Sequence, residues 1–281
     1  FPELQTFVSE YLGFIFISQK NLKLDKVLIC FGPCANGKSV LFEIVSQLLG
    51  AENVSSYSLQ SLTDTTGYYR AMISNKLVNY ASEISGNLEA SLFKALASGE
   101  SVEARLPYGR PFTLTNYARL IFNCNELPRE VENSRAYFRR FLIVPFEVII
   151  PEAEQNPELA AQICENELPG VLNWVLDGLT RLLKNKRFSD SPISREALSK
   201  YERDSNSVQM FLDEGDWKPD PENRVLIREL YGLYRAFCLE DGFRPVNKSN
   251  FKRRLLSLGF DIQRFNDGWA VFARNVTNIP F

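Results

Sequence analysis

Residues 26–39 read Lys26-Val27-Leu28-Ile29-Cys30-Phe31-Gly32-Pro33-Cys34-Ala35-Asn36-Gly37-Lys38-Ser39. The apolar run before Gly32 is typical of a buried parallel strand, and the apolar stripe from Lys38 to Leu49 predicts a helix that ends at Gly50. Between them lies the pattern G-x-x-x-x-G-K-S, in the strand–loop–helix context that a phosphate-binding loop requires. Its glycines let the backbone N–H groups face phosphate oxygens, and the start of the helix adds partial positive charge.

This loop predicts binding of a nucleoside triphosphate with Mg²⁺. Lys38 is expected to reach the β- and γ-phosphates of ATP, and the Ser39 hydroxyl is expected to ligate the metal. An accidental glycine-rich turn is the alternative, and the flanking strand and helix count against it. The predicted nucleotide-binding residues are Gly32, Pro33, Cys34, Ala35, Asn36, Gly37, Lys38, Ser39 and Val40.

A nucleoside triphosphatase also needs an acidic residue at the tip of a neighbouring strand. The strand predicted over 76–81 is followed by Glu83, which could act as general base and metal ligand. Ser82 stands where a second acid could be expected, so metal binding would depend on Ser39, phosphate oxygens and water, with Glu83 direct or through water. Many strands end in a solvated Glu, and the position of Glu83 after the loop is what favours the functional interpretation.

Two more apolar strands are predicted, over 119–124 and 141–146, and a helix is predicted over 87–98. Strands that alternate with helices predict an α/β core with a largely parallel sheet.

Asn125 follows the strand predicted over 119–124 and could orient the attacking water, although Asn at a strand end is commonly a turn former. Arg139 and Arg140 precede the strand predicted over 141–146. An arginine at a subunit edge could stabilise transition-state charge on the nucleotide of a neighbouring subunit. The alternative, a pair of surface arginines without such a role, is the more common case.

The remainder of the chain is predicted to be helical and then to form a small separate unit. Helices are predicted over 168–183, 208–213, 227–240 and 248–258, a polar linker over 184–192, and two strands over 261–264 and 269–273 around Asn266-Asp267-Gly268. Helices followed by such a hairpin are the order of a winged helix, whose third helix would place Lys248, Lys252 and Arg253 near DNA. A winged helix that contacts protein instead is the alternative. The predicted organisation is a helical segment over 1–22, an ATPase core over 23–150, a helical segment and linker over 151–203, and the small unit over 204–281.

Composition excludes several other classes of protein. The 281 residues are 45% hydrophobic and 23% charged, which is ordinary for a globular protein. Histidine is absent, which excludes His general bases, Ser-His-Asp triads and His-ligated metals. The five cysteines form no C-x-x-C pair, which favours a reduced, intracellular protein, expected in the cytoplasm. No apolar run is long enough to span a membrane, and no secretory signal is present.

Charge is unevenly distributed along the chain. The formal net charge is -2, but the stretch from Glu222 to the end holds ten Lys and Arg residues against six Asp and Glu residues. A basic C-terminal segment on an acidic body is consistent with a nucleic-acid partner, and a chance fluctuation on a solvated surface is the alternative.

Several of these signals occur in one order along the chain. They are Asn36-Gly37-Lys38-Ser39, Ala81-Ser82-Glu83, Leu96-Ala97-Ser98-Gly99-Glu100, Phe122-Asn123-Cys124-Asn125 and Arg139-Arg140-Phe141-Leu142-Ile143-Val144-Pro145-Phe146. This ordered set resembles the superfamily 3 helicases, and more narrowly the helicase part of phage and plasmid primase–helicases. The resemblance implies an AAA+-type core that assembles into a ring, usually a hexamer, with nucleotide between subunits. It also implies a primase or polymerase domain upstream in the same chain.

The resemblance assigns roles to individual residues. Lys38 and Ser39 match the Walker A lysine and serine, Glu83 the Walker B acid, Asn125 the sensor 1 residue and Arg140 the arginine finger, with Arg139 as the second choice. The single acid departs from the two-acid pattern of many viral members and leaves the metal ligands open.

Such helicases carry a hairpin before sensor 1 that grips DNA in the ring channel, and a hairpin is predicted here over 102–114, with residues 107–110 at its tip. Arg105, Tyr108 and Arg110 are suited to hold phosphate and stack on bases. A surface hairpin whose Tyr108 packs sideways is the alternative.

The sequence thus predicts an ATP-dependent replicative helicase domain that moves along single-stranded DNA. Two other functions remain open: an AAA+ ATPase that remodels or loads proteins on DNA, and an initiator that binds DNA and uses ATP as an assembly switch.

Overall fold

A computed structural model describes residues 2–18, 21–82, 84, 88–128 and 131–276. The chain forms two compact units, Phe1–Tyr201 and Glu202–Phe281. The segment 184–192, predicted as a linker, lies inside the first unit, where Phe188 stacks on Tyr11 with ring centroids 5.9 Å apart. None of the described helices is both long enough and apolar enough to span a bilayer.

The first unit contains an α/β sheet and a separate hairpin. Its helices are α1 Pro2–Phe14, α2 Lys38–Leu49, α3 Leu59–Leu62, α4 Tyr68–Met72, α5 Ala90–Ser98, α6 Arg135–Phe138, α7 Leu159–Asn166, α8 Leu168–Asn185 and α9 Pro192–Asp204, of which the last three residues belong to the second unit. Its strands are β1 Val27–Phe31, β2 Val54–Ser55, β3 Val78–Ala81, β4 Val102–Ala104, β5 Phe112–Leu114, β6 Arg119–Cys124 and β7 Phe141–Pro145. Short 3₁₀ turns lie at Ala51–Asn53 and Glu152–Glu154.

The central sheet has the strand order β2-β3-β6-β1-β7, and every pairing in it is parallel. This confirms the predicted α/β core with a parallel sheet. The chain passes from β1 to the far edge at β2, returns through β3 and β6, and then crosses to β7 on the other side of β1. The strands that follow β1 in sequence thus lie on both sides of it, so the direction of the chain connections reverses at β1. In open α/β sheets, ligands bind at such a switch point, beyond the carboxyl ends of the strands.

Both faces of the sheet are covered by apolar side chains. Alternate residues of β1 belong to different cores: Val27 and Ile29 pack in one, and Leu28 and Cys30 in the other. A strand buried on both faces reads as a continuous apolar run, which is why β1 was recognisable from sequence. The edge strand β2 was not predicted because two residues are too few to show a pattern.

The termini of two predicted helices differ in the structure. The segment 1–22 was predicted to be helical, but α1 ends at Phe14 and the chain continues in turns, with Ile17 N donating to Phe14 O at 3.1 Å. The helix predicted to begin at Asn87 begins at Ala90, and Glu89 caps it by accepting from Leu92 N. Asn87 itself lies outside the described residues.

Two glycines allow α1 and α8 to approach closely. A Cβ on Gly178 would lie 2.3 Å from the carbonyl carbon of Ser9, and one on Gly13 would lie 2.6 Å from Leu179 N. The buried carboxylate of Glu10, nearby on α1, accepts hydrogen bonds from Ser189 N at 2.7 Å and Ser189 Oγ at 2.6 Å. This contact fixes the segment that follows α8 to α1, while Tyr11 of the same helix donates to Leu120 O of β6 at 2.7 Å.

Gly178→Ala is expected to lower the free energy of unfolding by about 1–3 kcal/mol, because the methyl group must displace the backbone of α1. Gly170→Ala is the matched control in the same helix: a Cβ there meets nothing within 4 Å, so the helix should gain about 0.5–1 kcal/mol. Urea unfolding of both variants measures the difference. Equal stability of the two would contradict the close contact between α1 and α8.

The second unit combines three helices with a small antiparallel sheet. Its elements are α10 Ser207–Glu214, β8 Trp217–Leu226, α11 Ile227–Glu240, α12 Lys248–Ser257, β9 Ile262–Phe265 and β10 Gly268–Asn275. The strand order is β8-β10-β9. Phe251 and Leu255 of α12 are buried in its core with Tyr234 of α11, and Leu258 packs against this core partly buried.

The strand β8 was missed by the sequence analysis. Pro219 and Pro221 interrupt the run, and proline is tolerated in strands mainly at sheet edges and bulges. Both conditions hold here, because β8 is an edge strand and its pairing with β10 shifts between Phe272 and Ala273. Asp220 closes the bulge by accepting from Glu222 N at 2.9 Å.

Candidate functional site

The loop between β1 and α2 has a backbone that only glycine accommodates at two points. Gly37 precedes α2 with φ 89°, in the left-handed region that L side chains rarely adopt. At Gly32, a Cβ would lie 2.1 Å from the carbonyl oxygen of Phe146. The two glycines of the motif thus serve a sharp turn and a close approach of two backbones.

The side chain of Lys38 is buried in the curve of this loop. Its ammonium donates hydrogen bonds to Gly32 O at 2.6 Å, to Pro33 O at 2.5 Å and to Asn36 Oδ1 at 3.1 Å. Burial lowers the pKa of Lys38 below its ordinary value, because the surrounding protein solvates the charged form less well than water does. The loop therefore presents a partly desolvated cation, whose attraction for an anion is stronger than in bulk water.

A cavity of about 690 Å³ lies beside the loop. Its volume is within the range of small-molecule sites. Residues from Cys34 to Val40 line it, as do Ser82 and Asn125. Ser39 is exposed, so its hydroxyl is accessible. The structure therefore brings together most of the residues predicted for nucleotide binding.

The predicted acid, Glu83, lies outside the described residues. Its neighbour Ser82 lines the cavity, which places the end of β3 at the site. Among the described residues, no group of three or more Cys, Asp or Glu side chains is arranged to hold a metal ion.

Two asparagines at the end of β6 have different environments. Asn125 is exposed at the cavity, with its Nδ2 3.6 Å from Cys34 Sγ. Asn123, which the sequence analysis did not select, is buried; its Nδ2 donates to Lys38 O at 3.3 Å and its Oδ1 accepts from Tyr80 at 3.0 Å. It thereby joins β3, β6 and the first turn of α2. A polar residue inside the apolar run 119–124 was the signal that could have identified it.

The segment 150–159 also lines the cavity and was not predicted to do so. Ile150 N donates to Ala35 O at 2.8 Å, which attaches this segment to the loop. Glu152, Glu154 and Asn156 follow on the cavity wall. No local pattern marks this segment, because its proximity to the loop arises from the path of the chain after β7.

The two adjacent arginines differ in accessibility. Arg140 is buried, and its Nη2 donates to Ser98 Oγ at 2.9 Å. Its Nε donates to Lys94 O at 3.3 Å, and its Nη1 donates to Ala136 O. The side chain of Arg139 is 59% exposed, and its Nη2 lies 3.8 Å from Asp25 Oδ2.

Both arginines lie at the amino-terminal ends of the strands, whereas the loop lies at their carboxyl-terminal ends. Val27 N, at the start of β1, donates to Arg140 O at 2.8 Å, whereas the loop leaves the other end of β1. The five residues of β1 span roughly 16 Å at about 3.3 Å per residue. Arg139 is thus remote from the cavity of its own chain.

The predicted hairpin is present, with β4 and β5 paired from Val102↔Leu114 to Ala104↔Phe112. At its tip Tyr108 is fully exposed and does not pack against the protein. Arg110 is exposed as well, and Arg105 is exposed with its Nε donating to Gly109 O at 3.0 Å. The tip presents two cations and an aromatic ring to solvent.

The three cations predicted for the C-terminal unit lie on α12. Lys248 Nζ is 5.9 Å from the ring centroid of Tyr231, and Lys252 Nζ is 4.0 Å from that of Trp269. Arg253 is exposed. Lys248 and Lys252 are one turn apart and share a helix face, whereas Arg253 is about 100° further round the helix than Lys252.

Comparisons with known proteins address the fold. Residues 30–140 match a family described as "Family of unknown function (DUF5906)". Two apo structures of the C-terminal region of NrS-1, both of the A form, are similar to this chain at TM-scores of 0.52 and 0.53. In each case the identity is 16%, over 95% of this chain and 70% of the other. At this identity the likeness shows a shared fold.

Proposed function

We propose that this chain is an ATP-dependent DNA helicase domain. In this proposal ATP is hydrolysed between subunits of a ring, usually a hexamer, and hydrolysis drives translocation on single-stranded DNA. The observation that carries it is the glycine loop at the carboxyl end of β1, which surrounds the Lys38 ammonium beside a cavity of suitable size. The order of motifs, which resembles that of superfamily 3 helicases, supports it. By the same resemblance, a primase or polymerase domain would precede this segment.

The residues of the loop fit an ATP–Mg²⁺ complex. Backbone N–H groups of the loop and Lys38 would hold the phosphates, since the loop has the glycine conformations that such a cradle needs. Ser39 and Glu83 would hold Mg²⁺ together with phosphate oxygens and water. The metal would supply positive charge against the charge that develops on the transferred phosphoryl group. Asn125, exposed at the cavity, would orient the attacking water.

The arginine finger is proposed to be Arg139, supplied by a neighbouring copy. Arg139 is exposed and lies across the sheet from its own loop, so it can meet a phosphate only on another chain. Arg140 is buried and donates hydrogen bonds to residues of α5 and α6, which favours a structural role for it.

The hairpin is proposed to contact single-stranded DNA. A fully exposed Tyr108 has no packing role to explain it, and an aromatic ring next to Arg105 and Arg110 suits base stacking combined with phosphate binding. Backbone and stacking contacts of this kind depend little on sequence, which is what movement along DNA requires.

The double variant Tyr108→Ala, Arg110→Ala is expected to lose strand separation and the stimulation of ATP turnover by single-stranded DNA, while basal turnover stays within about twofold. The reason is that none of the residues that line the cavity beside the loop comes from the hairpin. Thr113→Ala, exposed on the same hairpin, is the matched control. Unwinding of a forked duplex and ATP turnover with and without DNA measure these effects. Full unwinding by the double variant would contradict the role of the hairpin.

ATP turnover with and without single-stranded DNA also distinguishes the other two functions. Turnover that DNA does not change would favour an ATPase that remodels proteins on DNA. ATP binding without turnover, at concentrations where copies associate, would favour an initiator that uses ATP as a switch.

A further inference from the structure

The C-terminal unit has a groove between the start of α11, the helix α12 and the turn that joins β9 to β10. Its volume is about 270 Å³, and it is referred to below as the α11–α12 groove. The side chains used in the argument are Arg228, Lys248, Lys252, Asp267 and Trp269, all of which line it.

Positive charge predominates in the groove. Lys248 and Lys252 face it from α12 and Arg228 faces it from α11. Among the residues that the structure describes, neither lysine forms an ion pair. Asp267 is paired with Arg224, and Glu229 Oε1 lies 3.8 Å from Arg228 Nε. Asp267 is therefore neutralised by an arginine that does not line the groove, the charge of Arg228 is balanced by Glu229, and the two lysines remain available to an anion.

An aromatic surface lies beside these cations. Trp269 is 44% exposed, and Lys252 Nζ stands 4.0 Å from the centroid of its ring. The helix α11 begins with Leu226 at its N-cap and no side chain caps it, so its first N–H groups add partial positive charge at the same place. Lysines that hold phosphates next to a ring that stacks on a base are the elements of a single-strand binding site.

We propose that the α11–α12 groove binds single-stranded nucleic acid, with Lys248 and Lys252 on the phosphodiester backbone and an unpaired base stacked on Trp269. The proposal goes beyond ATP hydrolysis and beyond the hairpin contact, and it requires neither. It also differs from the expectation for a winged helix stated above, because Arg253 lies outside the groove on the outer side of α12.

The test uses the full chain without nucleotide in a Tyr108→Ala, Arg110→Ala background, so that the hairpin does not contribute. Fluorescence anisotropy with labelled oligothymidylate measures affinity. Lys248→Ala with Lys252→Ala should weaken binding about tenfold at low salt and make the dependence on salt less steep, because two phosphate contacts are lost. Arg244→Ala, an exposed arginine of the same unit outside the groove, is the matched control.

Loss of affinity in Arg253→Ala equal to that in the lysine variant would place the nucleic acid on the outer side of α12 and overturn the proposal. Unchanged affinity in the lysine variant would overturn it as well. Since the assay needs no ATP, a failure of the proposed ATP hydrolysis would be detected in the turnover assay and would leave this binding result unaffected.

Trp269 gives a second readout. Saturating oligothymidylate should quench tryptophan emission, and Trp269→Phe should remove that quenching while retaining most of the affinity, because phenylalanine still stacks. Trp269→Leu should weaken binding about tenfold. Absence of quenching by the bound oligonucleotide, or tighter binding to a duplex of equal length, would overturn the single-strand assignment.

Discussion

Lys38→Ala is expected to lower ATP turnover at least about a hundredfold. The ammonium is the charge that the loop holds nearest to where phosphates would lie, and loss of one such stabilising group typically costs 10²–10³ in rate. Turnover measured by phosphate release, together with binding of a fluorescent ATP analogue, would show the loss. Lys23→Ala, an exposed lysine before β1, is the matched control and should behave as the unchanged chain does.

Lys38 also makes three hydrogen bonds within the loop, so its removal could loosen the loop itself. Ser39→Ala separates the two effects, because Ser39 is exposed and its hydroxyl is assigned only to the metal. We expect Ser39→Ala to retain the thermal stability of the unchanged chain and to require more Mg²⁺ for turnover. Turnover that persists in Lys38→Ala would place the ATP site elsewhere.

Arg139→Ala is expected to lower ATP turnover, whereas Arg140→Ala is expected to lower the stability of the fold. Arg139→Ala should reduce turnover about 10³-fold with little change in stability, since the side chain is exposed and an arginine finger contributes 10³–10⁵ in rate. Arg140→Ala should instead lower the free energy of unfolding by about 2–4 kcal/mol, because it removes a buried side chain and leaves Ser98 and the carbonyls of Lys94 and Ala136 without their donor. Phosphate release and urea unfolding of both variants measure the two effects.

Mixing two inactive variants tests whether Arg139 acts on a neighbour. Arg139→Ala retains an intact loop and Lys38→Ala retains Arg139, so mixed assemblies contain some complete sites. Turnover of the mixture above that of either variant is the expected result. Full turnover by Arg139→Ala alone, with loss of turnover in a folded Arg140→Lys variant, would assign the finger to Arg140.

Local patterns predicted the elements whose geometry depends on few residues. The run 27–31 indicated a buried strand, and the following glycines indicated a loop that faces phosphates. The hairpin tip at 107–110 was predictable because two short strands flank a proline–glycine turn. The edge strand β8 was not, since its prolines hide the alternation that strands normally show.

Partners distant in the chain were beyond the reach of local patterns. Asn123 acquires its position from Tyr80 and Lys38, which are 43 and 85 residues away. The segment 150–159 reaches the cavity only because Ile150 bonds to Ala35.

The adjacent arginines show the same division between sequence and tertiary structure most clearly. Sequence identifies Arg139-Arg140 as a pair before a strand and indicates that one of the two could serve a neighbouring nucleotide. The packing of α5 and α6 determines which one is accessible, because Ser98, Lys94 and Ala136 take up the donors of Arg140 and leave Arg139 in solvent. The conformation of the loop at 32–39, in contrast, follows largely from its own residues, since two glycines allow its turn and Lys38 donates hydrogen bonds to the carbonyls of Gly32 and Pro33.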